Sequence, residues 1–367
     1  MGIHATPFLL KNFSVKSKLF LDSYVHAEVH SIHENAKGFG LRYNKNSAIK
    51  AGIGEHIERV CSVSNFTKQV INDSFPVIDC FNLLTGELGK VQADKIFMNY
   101  NLPMFKGVDT KSFSTDSCGL ASHITSMEAI EGGLKEFIER QSLVTNWLTR
   151  SSGETISFEM LKNKNFLNIK LLNLLKYAEK MSDTIIAVNI SIIDGIFVIL
   201  TIGSNGNAFS SGIGTDRNLE KAVESSLNEY LMILESSFMR AKNPEAFKES
   251  TEKYVVNFYS LTVKEFLNSF KYLIEGESKQ LSEISYYPST TTMNSLLLNL
   301  KEHYGLNIYA CFLPHPLKEI NSKVVKVFSP DGFPSIDTEL FDPEEFEISK
   351  YLTGKRFYNK YKAIPFA

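Results

Sequence analysis

Two stretches of the chain read Glu-x-Ile-Glu-Arg, namely Glu55-His56-Ile57-Glu58-Arg59 and Glu136-Phe137-Ile138-Glu139-Arg140. On a helix, residues three apart share a face, with Cβ atoms roughly 5–6 Å apart. Each stretch therefore presents two carboxylates side by side with an arginine next to them. Two such helices facing one another would set four carboxylates around one space. A space of that kind suits a hard cation, which takes oxygen ligands, and does not suit a hydrophobic core.

The likeness extends upstream. Residues 48–59 and 129–140 agree at seven of twelve positions, 81 residues apart. A plainer account exists for either copy alone, because Glu55 with Arg59 and Glu136 with Arg140 are i,i+4 ion pairs. Such pairs decorate solvated helices and contribute only ~0.2–0.5 kcal/mol each. The small residues one turn earlier argue against it: Ala51 and Gly52 in the first copy, Gly132 and Gly133 in the second. Interior glycine costs a helix roughly 1 kcal/mol relative to alanine, and a solvated face gains nothing in return. Small residues leading to paired acids indicate that another group approaches the helix closely.

The elements that must position these acids can be read from periodicity. Residues 20–34 alternate around Val25, Ala27 and Val29, which suits a strand. His26, His30 and His33 would line a metal face if the segment were helical, and the alternation favours the strand. Gly38-Phe39-Gly40 reads as a turn before a first helix over about 47–63. Strands with turns follow over 75–105, including Pro76–Phe81 and Thr85-Gly86-Glu87. The loop Ser114–Gly119 leads to the second acidic helix, where Thr125 and Glu128 form a capping-box pattern. A leucine-rich helix over 166–182 precedes two strands between 184 and 202, joined at Ile193-Asp194-Gly195. A third helix starts near Leu219, and its segment Ala222–Glu229 is a weaker echo of the repeat. Helices are expected within 240–275, and Val324–Phe328 reads as a late strand. No low-complexity linker divides the chain, so the expected fold is one large α+β domain over residues 1–367.

Composition narrows the function classes. With 43% hydrophobic and 22% charged residues, the chain can bury a sizeable core. A formal charge of −2 gives no electrostatic case for nucleic acid, and Lys162-Asn163-Lys164-Asn165 reads as a polar loop. Four widely spaced cysteines without Cys-x-x-Cys argue against a disulfide framework or zinc ribbon and suit a reducing compartment. No apolar run reaches the ~20 residues of a membrane span. The start Met1–Thr6 fits an N-myristoylation pattern formally, too short a match to carry weight. A cytoplasmic location is expected.

At these residues the chain resembles the YcaO family. The points of contact are 48–59, Ser117-Cys118-Gly119-Leu120-Ala121-Ser122, Glu128 through Arg140, and Trp147, with weaker support from Leu84-Thr85-Gly86, Ala222–Glu229 and Val325–Pro330. The resemblance implies a fold that binds ATP and Mg2+ without a Walker A loop, and no Gly-x-x-x-x-Gly-Lys-Ser/Thr occurs here. Carried over by position, Glu55, Glu58, Glu128, Glu136 and Glu139 would be the magnesium ligands. Arg59, Ser117, Arg140 and Glu229 would contact or complete the nucleotide site. No general base is identifiable, and His56 is expected to pack or face solvent.

The combination of motifs is similar to YcaO proteins that install azoline rings in ribosomally made peptides. There a Cys, Ser or Thr side chain attacks the preceding carbonyl, ATP phosphorylates the hemiorthoamide oxygen, and loss of phosphate leaves a thiazoline or oxazoline. Related readings are thioamide or amidine formation, or a non-catalytic docking subunit. The chain differs from many ring-forming members in ending Ile364-Pro365-Phe366-Ala367, with one proline, and in carrying Ser225 where arginine is common. The resemblance further implies a precursor peptide substrate and a separate leader-binding, ubiquitin-activating-enzyme-like partner. A flavin dehydrogenase in the same complex and a homodimer are also among the partners it implies.

Overall fold

The computed structural model describes residues 13–21, 24–31, 37–69, 77–98, 116–163, 168–242, 253–276, 279–281, 290–314, 321–352 and 354–366. His33, Pro76, the Met1–Thr6 pattern, Lys164-Asn165 and Ser114-Thr115 lie outside them. The chain divides into two compact units, Met1–Phe137 with Asn307–Ser329, and Ile138–Leu306 with Pro330–Ala367.

In the first unit, β1 (Phe13–Leu21), β2 (Tyr24–Ser31) and β3 (Lys37–Arg42) form an antiparallel sheet in that order. Strand β2 is the segment whose alternation was legible, and its Ala27 and Val29 are fully buried. The helix α1 (Lys45–Gln69) packs on β3 and β2. A second sheet runs β5 (Leu88–Gln92), β4 (Val77–Asn82), β12 (Tyr309–Phe312), β13 (Lys323–Phe328) and β6 (Leu120–His123), all pairs antiparallel. Its core joins Ile57 and Cys61 of α1 to Cys80, Cys311 and Val324 of the strands.

The helix α2 (Ser126–Thr149) starts in the first unit, and the division falls within it, between Phe137 and Ile138. In the second unit the chain continues through β7 (Glu154–Thr155), α3 (Phe158–Asn163), α4 (Ile169–Met181), β8 (Thr184–Asn189), β9 (Phe197–Asn205), β10 (Ala208–Asp216) and α5 (Leu219–Lys242). Then come α6 (Lys253–Ser260), α7 (Val263–Ser269), α8 (Lys271–Ile274), β11 (Lys279–Gln280) and α9 (Met293–Tyr304). A short α10 (Glu347–Tyr351) follows late in the chain. The sheet order is β10-β9-β8-β7-β11, antiparallel except for the β7–β11 pair. Strand β9 is buried along Val198–Ser204, and α5 packs on β10.

One expectation needs correcting: Gly38-Phe39-Gly40 is part of strand β3, where a turn was expected. A Cβ on Gly38 would overlap the carbonyl oxygen of Gly52, and one on Gly40 would overlap that of Ala48. The glycines are there because the backbone of α1 lies directly on the strand.

Candidate functional site

The close approach foreseen from the small residues of α1 is therefore made by a strand. With no side chain between them, the amide of Phe39, between the two glycines, reaches the helix and donates to Glu55 Oε2 at 2.7 Å. Glu55 Oε1 accepts from Arg59 Nη2 at 3.3 Å, the expected i,i+4 pair. One turn on, Glu58 Oε1 accepts from the Ser122 amide at 2.7 Å, and Ser122 Oγ donates to the Gly54 carbonyl at 3.2 Å. The first acid pair is thus held from both sides by backbone amides, one from β3 and one from β6. Burial pushes the Glu58 carboxyl up to about 8, with the Glu55 charge adding in the same direction, and Ser122 and Arg59 opposing. His56 is buried and packs under Gly38, as expected for a residue turned away from the acids.

The same construction occurs in the second unit. Strand β10 carries Gly212-Ile213-Gly214, and a Cβ on Gly212 would overlap the Ser226 carbonyl oxygen and one on Gly214 the Ala222 carbonyl oxygen. The Ile213 amide donates to Glu229 Oε2 at 2.6 Å. The donor and its glutamate are sixteen residues apart in both cases, Phe39 with Glu55 and Ile213 with Glu229. The echo Ala222–Glu229 is therefore a repeat of structure as well as of sequence. Where Glu58 and Arg59 follow in α1, Met232 and Ile233 follow in α5, so this copy presents one acid.

Helix α2 carries the other acids. Its glycines also meet strands: a Cβ on Gly133 would stand 2.8 Å from the Gly119 carbonyl oxygen and from Val327 Cγ2. Thr125 and Glu128 form the expected cap, with the Glu128 amide donating to Thr125 Oγ1 at 3.3 Å and Thr125 Oγ1 donating to Glu128 Oε2 at 2.6 Å. His123 Nδ1 stands 2.8 Å from that same oxygen, and the Glu128 side chain is 55% exposed. Glu136 is half-buried in the first unit. Glu139, with its side chain only 13% exposed, accepts from Thr215 Oγ1 at 2.9 Å. Burial pushes its carboxyl up, while Arg140 and Thr215 pull it down. Arg140 Nε lies 3.9 Å from Glu139 Oε1, and its guanidinium stacks 5.3 Å from the Phe366 ring centroid.

Ser117 opens a tight turn before β6. Its carbonyl accepts from the Leu120 amide at 3.0 Å, Gly119 sits at φ +72, and the Cys118 amide donates to Asp116 Oδ1 at 2.8 Å. The buried Lys326 ammonium closes the turn by donating to the Asp116 carbonyl at 2.7 Å. Ser225 is exposed on α5. His26 is buried against Phe39 and His30 pairs with Glu28 at 3.0 Å, roles of a strand residue in each case. Among the described residues no group of three or more His, Cys, Asp or Glu side chains is disposed to hold a metal.

Sequence reasoning gave Ser122 no role and missed Thr215 and the glycines of β10. The last left a signal, since Gly40 precedes Ala48 by the same eight residues that separate Gly214 from Ala222.

The sequence matches the family model described as YcaO cyclodehydratase, ATP- and Mg2+-binding, over residues 72–331, and the chain belongs to that family. It is 31% identical over 119 residues to the microcin B17-processing protein McbD of Escherichia coli, a stretch spanning 32% of this chain and 29% of that relative. The fold matches a chain of the E. coli microcin synthetase McbBCD complex with a TM-score of 0.73, at 19% identity, over 97% of this chain and 96% of that one. It also matches YcaO from Methanopyrus kandleri bound with AMPPCP and Mg2+, with a TM-score of 0.64, at 16% identity, over 88% and 86% of the two chains.

Proposed function

We propose that this chain is an ATP-dependent cyclodehydratase subunit. It would form thiazoline or oxazoline rings in a ribosomally made precursor peptide and release ADP and phosphate. The observation that carries the reading is the Glu55–Glu58 pair, where burial, with the Glu55 charge adding to it, pushes the Glu58 carboxyl up to about 8 even though Arg59 already pairs with Glu55. A divalent cation would relieve it, and an all-carboxylate donor set suits Mg2+. In this reading Glu55, Glu58, Glu128, Glu136 and Glu139 would hold the metal, with their side chains gathering on it as it binds, since among the described residues no three of them already form a donor set. Arg59, Ser117, Arg140 and Glu229 serve the nucleotide.

When bound, Mg2+ supplies charge neutralisation for phosphates, on which phosphoryl transfer chiefly depends together with positioning. The chain's own residues supply the positioning. The Phe39 and Ser122 amides fix two carboxylates before any ligand arrives, Thr215 fixes Glu139, and Ile213 fixes Glu229. The Phe366 ring lies under the Arg140 guanidinium. The likeness to a complex solved with pro-MccB17 bound supports a peptide substrate and partner proteins for this chain too.

The test is incubation with Mg2+, ATP, a candidate precursor peptide and its partner, following peptide mass and phosphate together. Loss of one water per ring, in step with phosphate release, is expected, and both should disappear in Glu55→Gln and Glu136→Gln. Exchange of oxygen for sulfur would point instead to thioamide formation. Product formation that survives both substitutions would sink the catalytic assignment.

A further inference from the structure

The second unit contains a cleft of about 590 Å³ that the acids of the repeat do not line. It lies between the C-terminal part of α2, the β8–β9 connection and Tyr304 of α9. Its wall is polar: Thr145, Asn146, Glu154, Asn189, Asp194 and Lys355 all contribute. Thr145 is only 3% exposed, and its Oγ1 is buried without a hydrogen-bond partner. A buried hydroxyl left in that state is costly unless a ligand satisfies it.

The rest of the wall is held in place before any ligand binds. Asn146 Nδ2 donates to the Ser151 carbonyl at 2.7 Å, and its Oδ1 accepts from the Tyr272 hydroxyl at 2.8 Å. Asn189 Nδ2 donates to Glu154 Oε2 at 3.1 Å. The connection itself is tied by the Tyr304 hydroxyl, which donates to the Ile192 carbonyl at 2.5 Å, and by the Ile192 amide, which donates to Ser142 Oγ at 3.3 Å. Two carboxylates face one ammonium, and the Lys355 ammonium already donates to Ser151 Oγ at 2.9 Å. That balance disfavours phosphates and carboxylates and favours groups that donate hydrogen bonds or carry positive charge.

Within the same unit the cleft shares its elements with Glu139. Thr145 follows Glu139 by six residues on α2, about 9 Å along the axis at 1.5 Å per residue. Phe197, in the cleft wall, pairs across the ladder with Asp216, the neighbour of the Thr215 that donates to Glu139.

We infer that this cleft is a subsite for the substrate peptide. It takes a hydrogen-bond-donating or basic side chain of that peptide. The inference rests on the peptide-modifying reading above and names the part of the peptide recognised. Acidic side chains are excluded by Glu154 and Asp194.

The test titrates the full chain with fluorescent peptides Gly-Ser-Xaa-Ser-Gly, Xaa being Lys, Ser or Asp, and reads anisotropy. The Lys peptide should bind tightest and the Asp peptide weakest, about tenfold or more apart. Thr145→Val and Asp194→Asn should each weaken the Lys peptide by about threefold to tenfold, and Thr145→Ser should restore it. Equal binding of the three peptides, no binding of any, or parent-like binding by both weakened variants would overturn the cleft. Mg2+–ATP binding by calorimetry on the same preparations separates the two readings. A peptide ranking that survives without nucleotide binding refutes the ATP assignment alone; nucleotide binding without a ranking refutes the cleft alone.

Discussion

A carboxyl raised by burial ties folding to pH in a fixed direction. Glu58 has an ordinary value of 4.5 and is pushed up to about 8 in the folded chain. Between those values the folded state keeps a proton that the unfolded state gives up, so stability falls as pH rises and levels off above about 8. Thermal unfolding of the metal-free chain across that window should show this decline, and Glu58→Gln should flatten it. Added Mg2+ should raise the parent's midpoint near pH 8 more than the variant's. A parent whose midpoint rises with pH over this window would contradict the assignment. Glu229 offers a second test at this scale, because Ile213 donates its amide there. Glu229→Ala should cost about 1–3 kcal/mol in chemical denaturation, the expense of a buried donor left unmatched, and Glu229→Gln less. Glu128 and Glu229 were named through the family resemblance, whereas the paired acids Glu55, Glu58, Glu136 and Glu139 were legible from spacing. Their amide partners were not, since a backbone donor leaves no trace in side-chain identity.

The strand–helix pairs behave as units. Because a Cβ on Gly38 or Gly212 would overlap helix backbone, Gly38→Ala and Gly212→Ala should each destabilise by about 1–3 kcal/mol or more. Gly86 makes a useful contrast. It lies at φ +75 with open space around it, so Gly86→Ala should cost only the left-handed conformation, about 1–2 kcal/mol. Urea titrations of the three variants would rank them, and a harmless Gly212→Ala would refute the packing argument. This scale also shows where sequence reading failed. Gly38-Phe39-Gly40 resembled a turn because glycine is the usual turn residue, and nothing local announces a helix lying on top. Strand β10 escaped notice because its run Ser210-Ser211-Gly212 is small and polar, although it is buried. Burial of those three residues follows the closeness of α5, whereas Phe209 beside them packs on Phe258 and Phe266. By contrast β9, with Ile199, Leu200 and Ile202, declared itself.

Across the molecule, the four cysteines and the single tryptophan report on different units. Cys61, Cys80, Cys118 and Cys311 all belong to the first unit and are buried, whereas Trp147 belongs to the second. Burial pushes the Cys311 thiol up to about 12 and raises that of Cys80, so neither forms appreciable thiolate near neutrality. Native protein should therefore resist alkylation, and labelling should begin only as the first unit opens. Trp147, whose Nε1 donates to the Lys362 carbonyl at 2.9 Å, follows the second. Since α2 contributes residues to both, the denaturant midpoints for labelling and fluorescence should coincide; separate midpoints would show that the helix does not couple them. The architecture at this scale was legible as a mixed α/β fold without a linker. The division inside α2 was not, because an uninterrupted helix carries no boundary composition.

A helix seated directly on glycine has no cushion. In most interfaces intervening side chains absorb small displacements by changing rotamer, much as a gasket does. Between α1 and β3, and again between α5 and β10, a shift of an ångström drives carbonyl oxygen into backbone. Each pair is stiff in shear as well as in compression. Any motion that accompanies turnover must therefore be taken up in other segments, while Glu55 and Glu229 stay fixed points on helices held to their strands.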